Sequence, residues 1–208
     1  MKTSSEGILI HASFSVGKLV DYLLNEKLNS RAIIKASFRK LISEIYEKIL
    51  EDYKIGERGY ESEKLSRSAL NEIKEKIKCN YNCGLGKILH ELLGYENGTH
   101  IYERFYLYED KMYVIRGAPD RVYRNGNGKI TVEEFKTYRR ENVRYHQVLR
   151  GVFQLGMYGY LCKTENGRLV LLDVPNGRLE IFDYSYPFNS QEKLLRDAID
   201  ASIKKSNK

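Results

Sequence analysis

The spacing of apolar residues changes near residue 100, and this change limits the possible folds more than any other feature of the chain. Before it, apolar residues recur every three or four positions, as on a helix with one buried face. This spacing predicts helices over residues 33–50, 62–78 and 85–93, with Gly94 as the stop of the last one. After it, apolar residues alternate, as in strands. The sequence therefore predicts a helical N-terminal part followed by a strand-rich core.

The second half of the chain combines strands with single helices. We expect strands at residues 101–108, 112–116, 120–123, 130–137, 169–174 and 179–182, and helices at 144–162 and 190–204. The turn sequence NGNG at 125–128 separates two of these strands. The core order of helix, three strands, helix and strand predicts an α/β architecture, in which helices flank a mixed sheet.

The length of 208 residues is that of one domain with one hydrophobic core. Within this single domain, 1–208, residues 1–80 are expected to form a mostly helical N-terminal arm or cap. Residues 81–185 are expected to form the core that carries the chemistry, and residues 186–208 a C-terminal helix. This division leaves the first 80 residues to shape access to the core.

Charge and composition narrow the possible partners. The formal charge is +7, from 35 Lys and Arg against 28 Asp and Glu, which favours an anionic partner, nucleic acid first. No apolar run is long enough to cross a bilayer, so no membrane association is expected. Three cysteines provide no disulfide framework, which is typical of a reducing, intracellular (cytoplasmic) setting. The sequence gives no indication of an oligomeric state.

Two short segments place carboxylates and a lysine together. Pro119 restricts the residue before it to an extended conformation, so Asp120 follows a bend at a strand edge. Glu134 and Lys136 are two apart on the next strand and share one face, while Phe135 points into the core. Carboxylate oxygens bind Mg²⁺ or Mn²⁺, and the lysine can act on an attacking water. The alternative is an exposed ion pair without catalytic meaning.

These residues resemble a known signature. The pair Pro119-Asp120, followed by Glu134-Phe135-Lys136, is similar to the motif of the PD-(D/E)XK nuclease superfamily, whose restriction-endonuclease-like αβββαβ core has the same element order. The segment 86–90, GKILH, and the segment 154–158, QLGMY, resemble two motifs of the RecB-like branch. That branch includes exonucleases associated with CRISPR adaptation and archaeal viral single-strand exonucleases. The resemblance covers about residues 10–182.

The resemblance implies roles for single residues. The metal ligands would be His90, Asp120, Glu134 and the backbone carbonyl of Phe135, and the metal would be Mg²⁺ or Mn²⁺. Lys136 would act on the attacking water. A core histidine on an apolar helix is the plain alternative for position 90. Because this branch includes viral nucleases, the expected intracellular setting can also be that of an infected host cell.

Two further features bear on the branch. Gln154 and Tyr158 are one helical turn apart and would hold the scissile phosphate or the catalytic lysine, although helix packing would also explain them.

Many RecB-like nucleases carry four cysteines for an iron–sulfur cluster. This chain has Cys79, Cys83 and Cys162, and a cluster normally needs four thiolates, so we predict no iron–sulfur cluster.

A basic and aromatic group follows the catalytic strand and is expected to bind DNA. It consists of Arg139, Arg140, Arg144, Tyr145 and Arg150. Arginines can track a phosphate backbone, and tyrosines can stack on unpaired bases. A solvated face is the plain alternative.

The segment 123–134 also resembles a calcium loop, but Tyr123 stands where that loop needs its first carboxylate.

Together, these features predict a Mg²⁺- or Mn²⁺-dependent deoxyribonuclease that hydrolyses phosphodiester bonds. We expect it to be a single-stranded DNA exonuclease with accompanying endonuclease activity. One alternative is a structure-selective DNA endonuclease. The other is a non-catalytic nucleic-acid-binding protein on a nuclease fold, against which the intact set of Asp120, Glu134 and Lys136 argues.

Overall fold

Eight strands and five helices make up the part of the chain that the structure, a computed structural model, describes: residues 10–29, 38–79, 89, 91, 94, 95 and 100–206. In chain order they are β1 (Ile10–Ser15), α1 (Val16–Asn29), α2 (Phe38–Asp52), β2 (Gly56–Lys64), α3 (Arg67–Cys79), β3 (Tyr102–Tyr108), β4 (Lys111–Gly117), β5 (Arg121–Arg124), β6 (Ile130–Tyr138), α4 (Glu141–Cys162), β7 (Asn166–Asp173), β8 (Arg178–Ser185) and α5 (Phe188–Ser206).

The strands form two mixed sheets. The smaller sheet has the order β1-β4-β3, and the larger one has the order β2-β8-β7-β6-β5. In the larger sheet β6 and β7 are parallel, so they need a crossover, which α4 provides. In the smaller sheet β1 runs parallel to β4. These arrangements confirm the predicted mixed α/β class with flanking helices, but the strands form two mixed sheets where the sequence analysis predicted one.

Helix α4 is the centre of the hydrophobic core. Val152, Phe153, Leu155 and Met157 are all 0% exposed, because α4 packs against β6 and β7 as well as α1 and α5. Gly156 permits the close approach of α5, since a Cβ at this position would clash with Leu194. The helix that crosses between the parallel strands therefore packs against the larger sheet and two other helices, which fixes the positions of its buried side chains.

The strand β2 was not predicted. The sequence indicated a helix over residues 62–78, but the structure extends β2 to Lys64 and begins α3 at Arg67. Eight of the nine β2 residues are exposed, so the strand lacks the alternation of apolar and polar residues that identifies a half-buried strand. Backbone pairing with β8 stabilises it instead.

The N-terminal part contributes to both sheets. The sequence analysis treated residues 1–80 as a helical arm or cap, but β1 pairs with β4 and β2 pairs with β8. The later elements lie close to their predicted bounds. In the described part of the chain, no helix is long and apolar enough to cross a membrane.

Candidate active site

The passage between the two sheets positions Asp120. Strand β4 of the smaller sheet ends at Gly117, and β5 of the larger sheet begins at Arg121, opposite Glu133 of β6. Between them Pro119 is buried, and Asp120 Oδ2 accepts the backbone N–H of Phe135 at 2.7 Å. The Asp120 carboxylate thus continues the pairing with β6 beyond the start of β5, and this contact fixes it beside the middle of β6.

Strand β6 presents the other two charged groups as predicted. Glu134 and Lys136 share a face and form an ion pair, and Lys136 Nζ also lies 3.4 Å from the carbonyl oxygen of Phe135. Phe135 lies on the opposite face and stacks on Tyr95, with ring centroids 4.9 Å apart. The Glu134 and Lys136 side chains are only 4% and 14% exposed. This ion pair is therefore largely shielded from solvent, and the interpretation as an exposed surface pair is wrong.

The two carboxylates converge. The side chains of Asp120 and Glu134 lie close enough to interact. Burial raises the pKa of Asp120 above its ordinary value, while the Lys136 charge and the Phe135 N–H oppose this rise. Negative charge at this point is therefore only partly compensated by the protein. A divalent cation with a preference for oxygen ligands would complete the compensation, so these residues fit Mg²⁺ or Mn²⁺.

Gln154 and Tyr158 of α4 belong to the same cluster. Both are buried, and a side-chain hydrogen bond joins them. Burial and then the Glu134 charge raise the pKa of Tyr158 well above its ordinary value, so the phenol stays neutral. Gln154 Oε1 has no hydrogen-bond partner among the residues that the structure describes. Gly117 makes room for the Tyr158 ring, because a Cβ there would lie 2.6 Å from Tyr158 Cε1.

The sequence profile of the PD-(D/E)XK nuclease superfamily matches residues 1–205. The chain belongs to this superfamily. The search among curated proteins found no match.

Three solved structures are similar to this member of the PD-(D/E)XK superfamily. The crystal structure of SSO0001 has a TM-score of 0.49 and 21% identity, covering 95% of this chain and 78% of that one. Rai1 of Scheffersomyces stipitis, in complex with (3'-NADP)+ and calcium ion, has a TM-score of 0.37 and 11% identity, covering 96% of this chain and 61% of that one. A second Rai1 structure has a TM-score of 0.39 and 10% identity, covering 96% and 62%.

The predicted ligand His90 lies outside the described residues. Its neighbours on either side, Leu89 and Glu91, are helical, and Leu89 is buried in the cluster that contains Phe135. Among the described residues, no group of three or more His, Cys, Asp or Glu could hold a metal ion. Of the predicted metal ligands, the described residues include the two carboxylates and the carbonyl of Phe135.

The predicted DNA-binding group falls into two kinds. Arg139 and Arg140 are exposed between β6 and α4, while Arg144 lies over the Tyr145 ring at 5.4 Å. Arg144 also binds Glu180 with two hydrogen bonds, and Arg150 forms an ion pair with Asp21 of α1. Two of the five side chains are therefore engaged by carboxylates of this chain.

The sequence analysis missed Glu180, which lies two strands from Lys136 on the same row of the larger sheet. It is 1% exposed and accepts hydrogen bonds from Tyr60, Tyr138 and Arg144. The sequence feature that could have identified Glu180 is its position within a predicted apolar strand, because a carboxylate buried there needs a cationic partner. Its effect is to fix the first turns of α4 to the sheet beside the candidate active site.

Proposed function

We propose that this chain is a Mg²⁺- or Mn²⁺-dependent deoxyribonuclease of the RecB-like branch. Its substrate is single-stranded DNA, degraded mainly from ends, with accompanying endonuclease activity. The observation that carries the proposal is the buried cluster of Asp120, Glu134 and Lys136 on one side of β6. Membership of the PD-(D/E)XK superfamily supports hydrolysis of phosphodiester bonds.

The metal, when bound, activates a water and offsets the charge that develops on the phosphate. The residues that would hold it are His90, Asp120, Glu134 and the carbonyl of Phe135. In the described residues the carboxylates are already held in place, Asp120 by a backbone N–H and Glu134 by Lys136. Little rearrangement would be needed when a cation binds, which favours catalysis.

Lys136 is the residue proposed to act on the attacking water. An ammonium group has three N–H donors. Two point towards Glu134 and the Phe135 carbonyl, so the third is available to a water or a phosphate oxygen. Tyr158 stays neutral and can donate a hydrogen bond, and Gln154 offers an amide beside it. These two α4 residues are proposed to hold the scissile phosphate or to position Lys136.

Arg139, Arg140 and Tyr145 are proposed to bind the strand next to the site. The arginines are exposed and can pair with phosphates, and the tyrosine is half-buried and can stack on a base. Arg150 would exchange Asp21 for a phosphate. Arg144 would contribute through its contact with the Tyr145 ring, because Glu180 occupies its guanidinium.

The test is cleavage of labelled DNA by the wild type and by Asp120→Asn, Glu134→Gln and Lys136→Met, with Mg²⁺ or Mn²⁺. Each substitution keeps the approximate shape and should lower the rate by about 100-fold or more, because a group that stabilises the transition state is lost. The matched control is Glu133→Gln. This neighbouring carboxylate lies on the opposite face of β6 and pairs with Arg121 at 3.2 Å. It should retain cleavage.

Linear and circular single strands and duplexes distinguish the modes. Degradation of linear strands only indicates an exonuclease, whereas cutting of circles indicates the endonuclease activity. Equal rates in the wild type and the three variants would contradict the site. Tight DNA binding without cleavage by the wild type, with either metal, would favour a non-catalytic binding protein.

A further inference from the structure

A basic pocket lies at the end of the larger sheet where β6 and β7 begin. It consists of two adjoining cavities of about 300 Å³ and about 200 Å³, which share Arg58 and Asn166. The larger cavity is also lined by Lys129, Lys163 and Phe188. Ligand pockets start at about 300 Å³, so there is room for a small ligand and no more.

Arg58 is held in place in this pocket. Its Nη1 donates to Asn166 Oδ1 at 3.0 Å, and its Nη2 donates to Ser185 Oγ at 2.5 Å. Since a guanidinium has five N–H donors, three remain for a ligand. Neither neutral partner offsets the positive charge. Arg58 is therefore a fixed donor of the kind that matches a phosphate.

The lysines of the pocket add charge without acidic partners. Lys129 and Lys163 are exposed, and neither forms an ion pair with any acidic residue in the described part of the chain. Glu165, the acidic residue of the larger cavity, accepts the backbone N–H of Phe188 at 3.1 Å and so caps α5. In the larger cavity three cations thus face one carboxylate, and in the smaller cavity Arg168 and Asp183 pair with each other, so the pocket has a net positive charge and favours an anion.

An aromatic ring stands at the rim. Phe188 is 51% exposed although it is a large apolar residue. A ring beside clustered cations is the combination that binds nucleotides, because the base stacks on the ring and the cations take the phosphate. The residue of the pocket on β6 that lies nearest to Glu134 is Thr131, three positions before it, which is about 10 Å along β6. The pocket is therefore separate from the candidate active site.

We propose that this pocket binds a nucleoside phosphate. The ligand is either a free nucleotide or one nucleotide unit of a DNA strand, and both present the same base and phosphate. Arg58, Lys129 and Lys163 would take the phosphate, and Phe188 would stack on the base. The proposal does not depend on cleavage, since binding at this pocket involves none of the residues of the candidate active site.

Binding is measured on the full chain in EDTA, which prevents metal-dependent cleavage. The probes are a fluorescein-labelled single-stranded 12-mer, followed by anisotropy, and dAMP, followed by calorimetry. The test variant is Lys129→Glu/Lys163→Glu. The matched control is Lys74→Glu/Lys111→Glu, which reverses the charge of two exposed lysines outside the pocket. Circular dichroism checks that both are folded.

The pocket variant should bind its ligand at least about tenfold more weakly than the control. For a strand, the slope of log K against log salt should fall by about 0.7, because the contact with one phosphate on a single strand is lost. Phe188→Ala should weaken binding without changing this slope. Loss of dAMP binding identifies a free-nucleotide site, and loss of oligonucleotide binding alone identifies a strand-binding site.

Equal affinities and equal salt slopes for the pocket variant and the control, with both probes, would overturn the proposal. The cleavage assay is run in parallel on the pocket variant at saturating DNA with Mn²⁺. Retained cleavage there, together with unchanged binding, would overturn the pocket and leave the proposed nuclease intact. Loss of cleavage in Asp120→Asn tests the nuclease alone.

Discussion

The buried ion pair between Arg144 and Glu180 should be the most sensitive polar contact outside the candidate active site. We predict that Arg144→Met strongly destabilises the fold. The Arg144 and Glu180 side chains are 17% and 1% exposed, so the substitution would leave a buried carboxylate with only tyrosine donors and Arg178, whose Nη2 lies 3.8 Å from Glu180 Oε1. The more conservative change Glu180→Gln removes the charge and keeps one acceptor oxygen for either Tyr60 or Tyr138, while its amide nitrogen can donate to the other hydroxyl.

The expected loss follows from this geometry. Breaking a buried pair from one side costs about 3–5 kcal/mol. Since Tyr60, Tyr138 and Arg178 still face Glu180, we expect about 3 kcal/mol for Arg144→Met, at the lower end of that range. At about 2–4 °C per kcal/mol for a chain of this size, the midpoint of thermal unfolding should fall by about 6–12 °C. The double variant Arg144→Met/Glu180→Gln should be more stable than Arg144→Met, because no buried charge remains.

The same pair has a pH signature. Burial would raise the pKa of Glu180, but the hydrogen bonds and charge of Arg144 outweigh burial and lower it below the ordinary 4.5. A depressed pKa contributes stability above the unfolded value, and this contribution is lost as the pH falls through the folded value. In Arg144→Met burial dominates, so protonation of Glu180 relieves the penalty. The difference in stability between wild type and variant should therefore shrink as the pH falls through 4.5, from the raised pKa of Glu180 in the variant to its lowered pKa in the wild type.

Urea unfolding followed by far-ultraviolet circular dichroism, at pH 7 and at pH 4, measures these free energies. The matched control is Arg116→Met, which breaks the exposed pair with Glu103 and should cost less than about 1 kcal/mol. The reasoning fails if Arg144→Met costs no more than this control. It also fails if the loss of unfolding free energy in the double variant equals the sum of the losses in the two single variants.

Three further predictions concern other parts of the molecule. Gly117→Ala should lower the free energy of unfolding by about 1–3 kcal/mol, because its Cβ would lie 2.6 Å from Tyr158 Cε1. It should also lower the cleavage rate further than the loss of stability explains. Thermal melts and rates at 20 °C separate the two effects, and an unchanged rate would contradict the role of the Tyr158 ring. Mn²⁺ at 100 times its dissociation constant should stabilise the wild type by about 2.7 kcal/mol but not Asp120→Asn; an equal rise in melting temperature for both would place the cation elsewhere. Burial raises the pKa of the Cys162 thiol to about 12. In a variant that carries Cys79→Ser and Cys83→Ser, the Cys162 thiol should therefore react with a disulfide reagent at pH 8 only after unfolding. Rapid reaction of the native protein would refute this.

Much of the site could be predicted because its parts lie on regular elements. The alternation of β6 places Glu134 and Lys136 on one face whatever the remainder of the fold. The helical spacing does the same for Gln154 and Tyr158 on α4. Asp120 could be predicted because Pro119 precedes it and a turn returns the chain to β6. Each inference used short-range geometry, which the sequence contains in full.

Long-range pairing could not be predicted. Strand β2 is exposed on both faces, so its existence depends on β8 and not on its own residues. The role of Arg144 was interpreted as DNA binding because its partner Glu180 lies 36 residues further along the chain. A basic residue in a sequence carries no sign of whether a buried carboxylate will meet it. The predictions for the basic residues therefore needed the structure most.

The pairing of β2 with β8 has a consequence for how the chain folds during its synthesis. Tyr60 of β2 pairs with Phe182 of β8, 122 residues further along the chain. At about 5–20 residues per second, translation leaves β2 without its partner for roughly 6–24 s. Distant strand pairing is slow even in a complete chain, and an unpaired edge can bind other chains in the interval. The charged residues of β2 obscured its strand character in the sequence, and they also disfavour such contacts on the ribosome. They are Glu57, Glu61, Glu63 and Lys64.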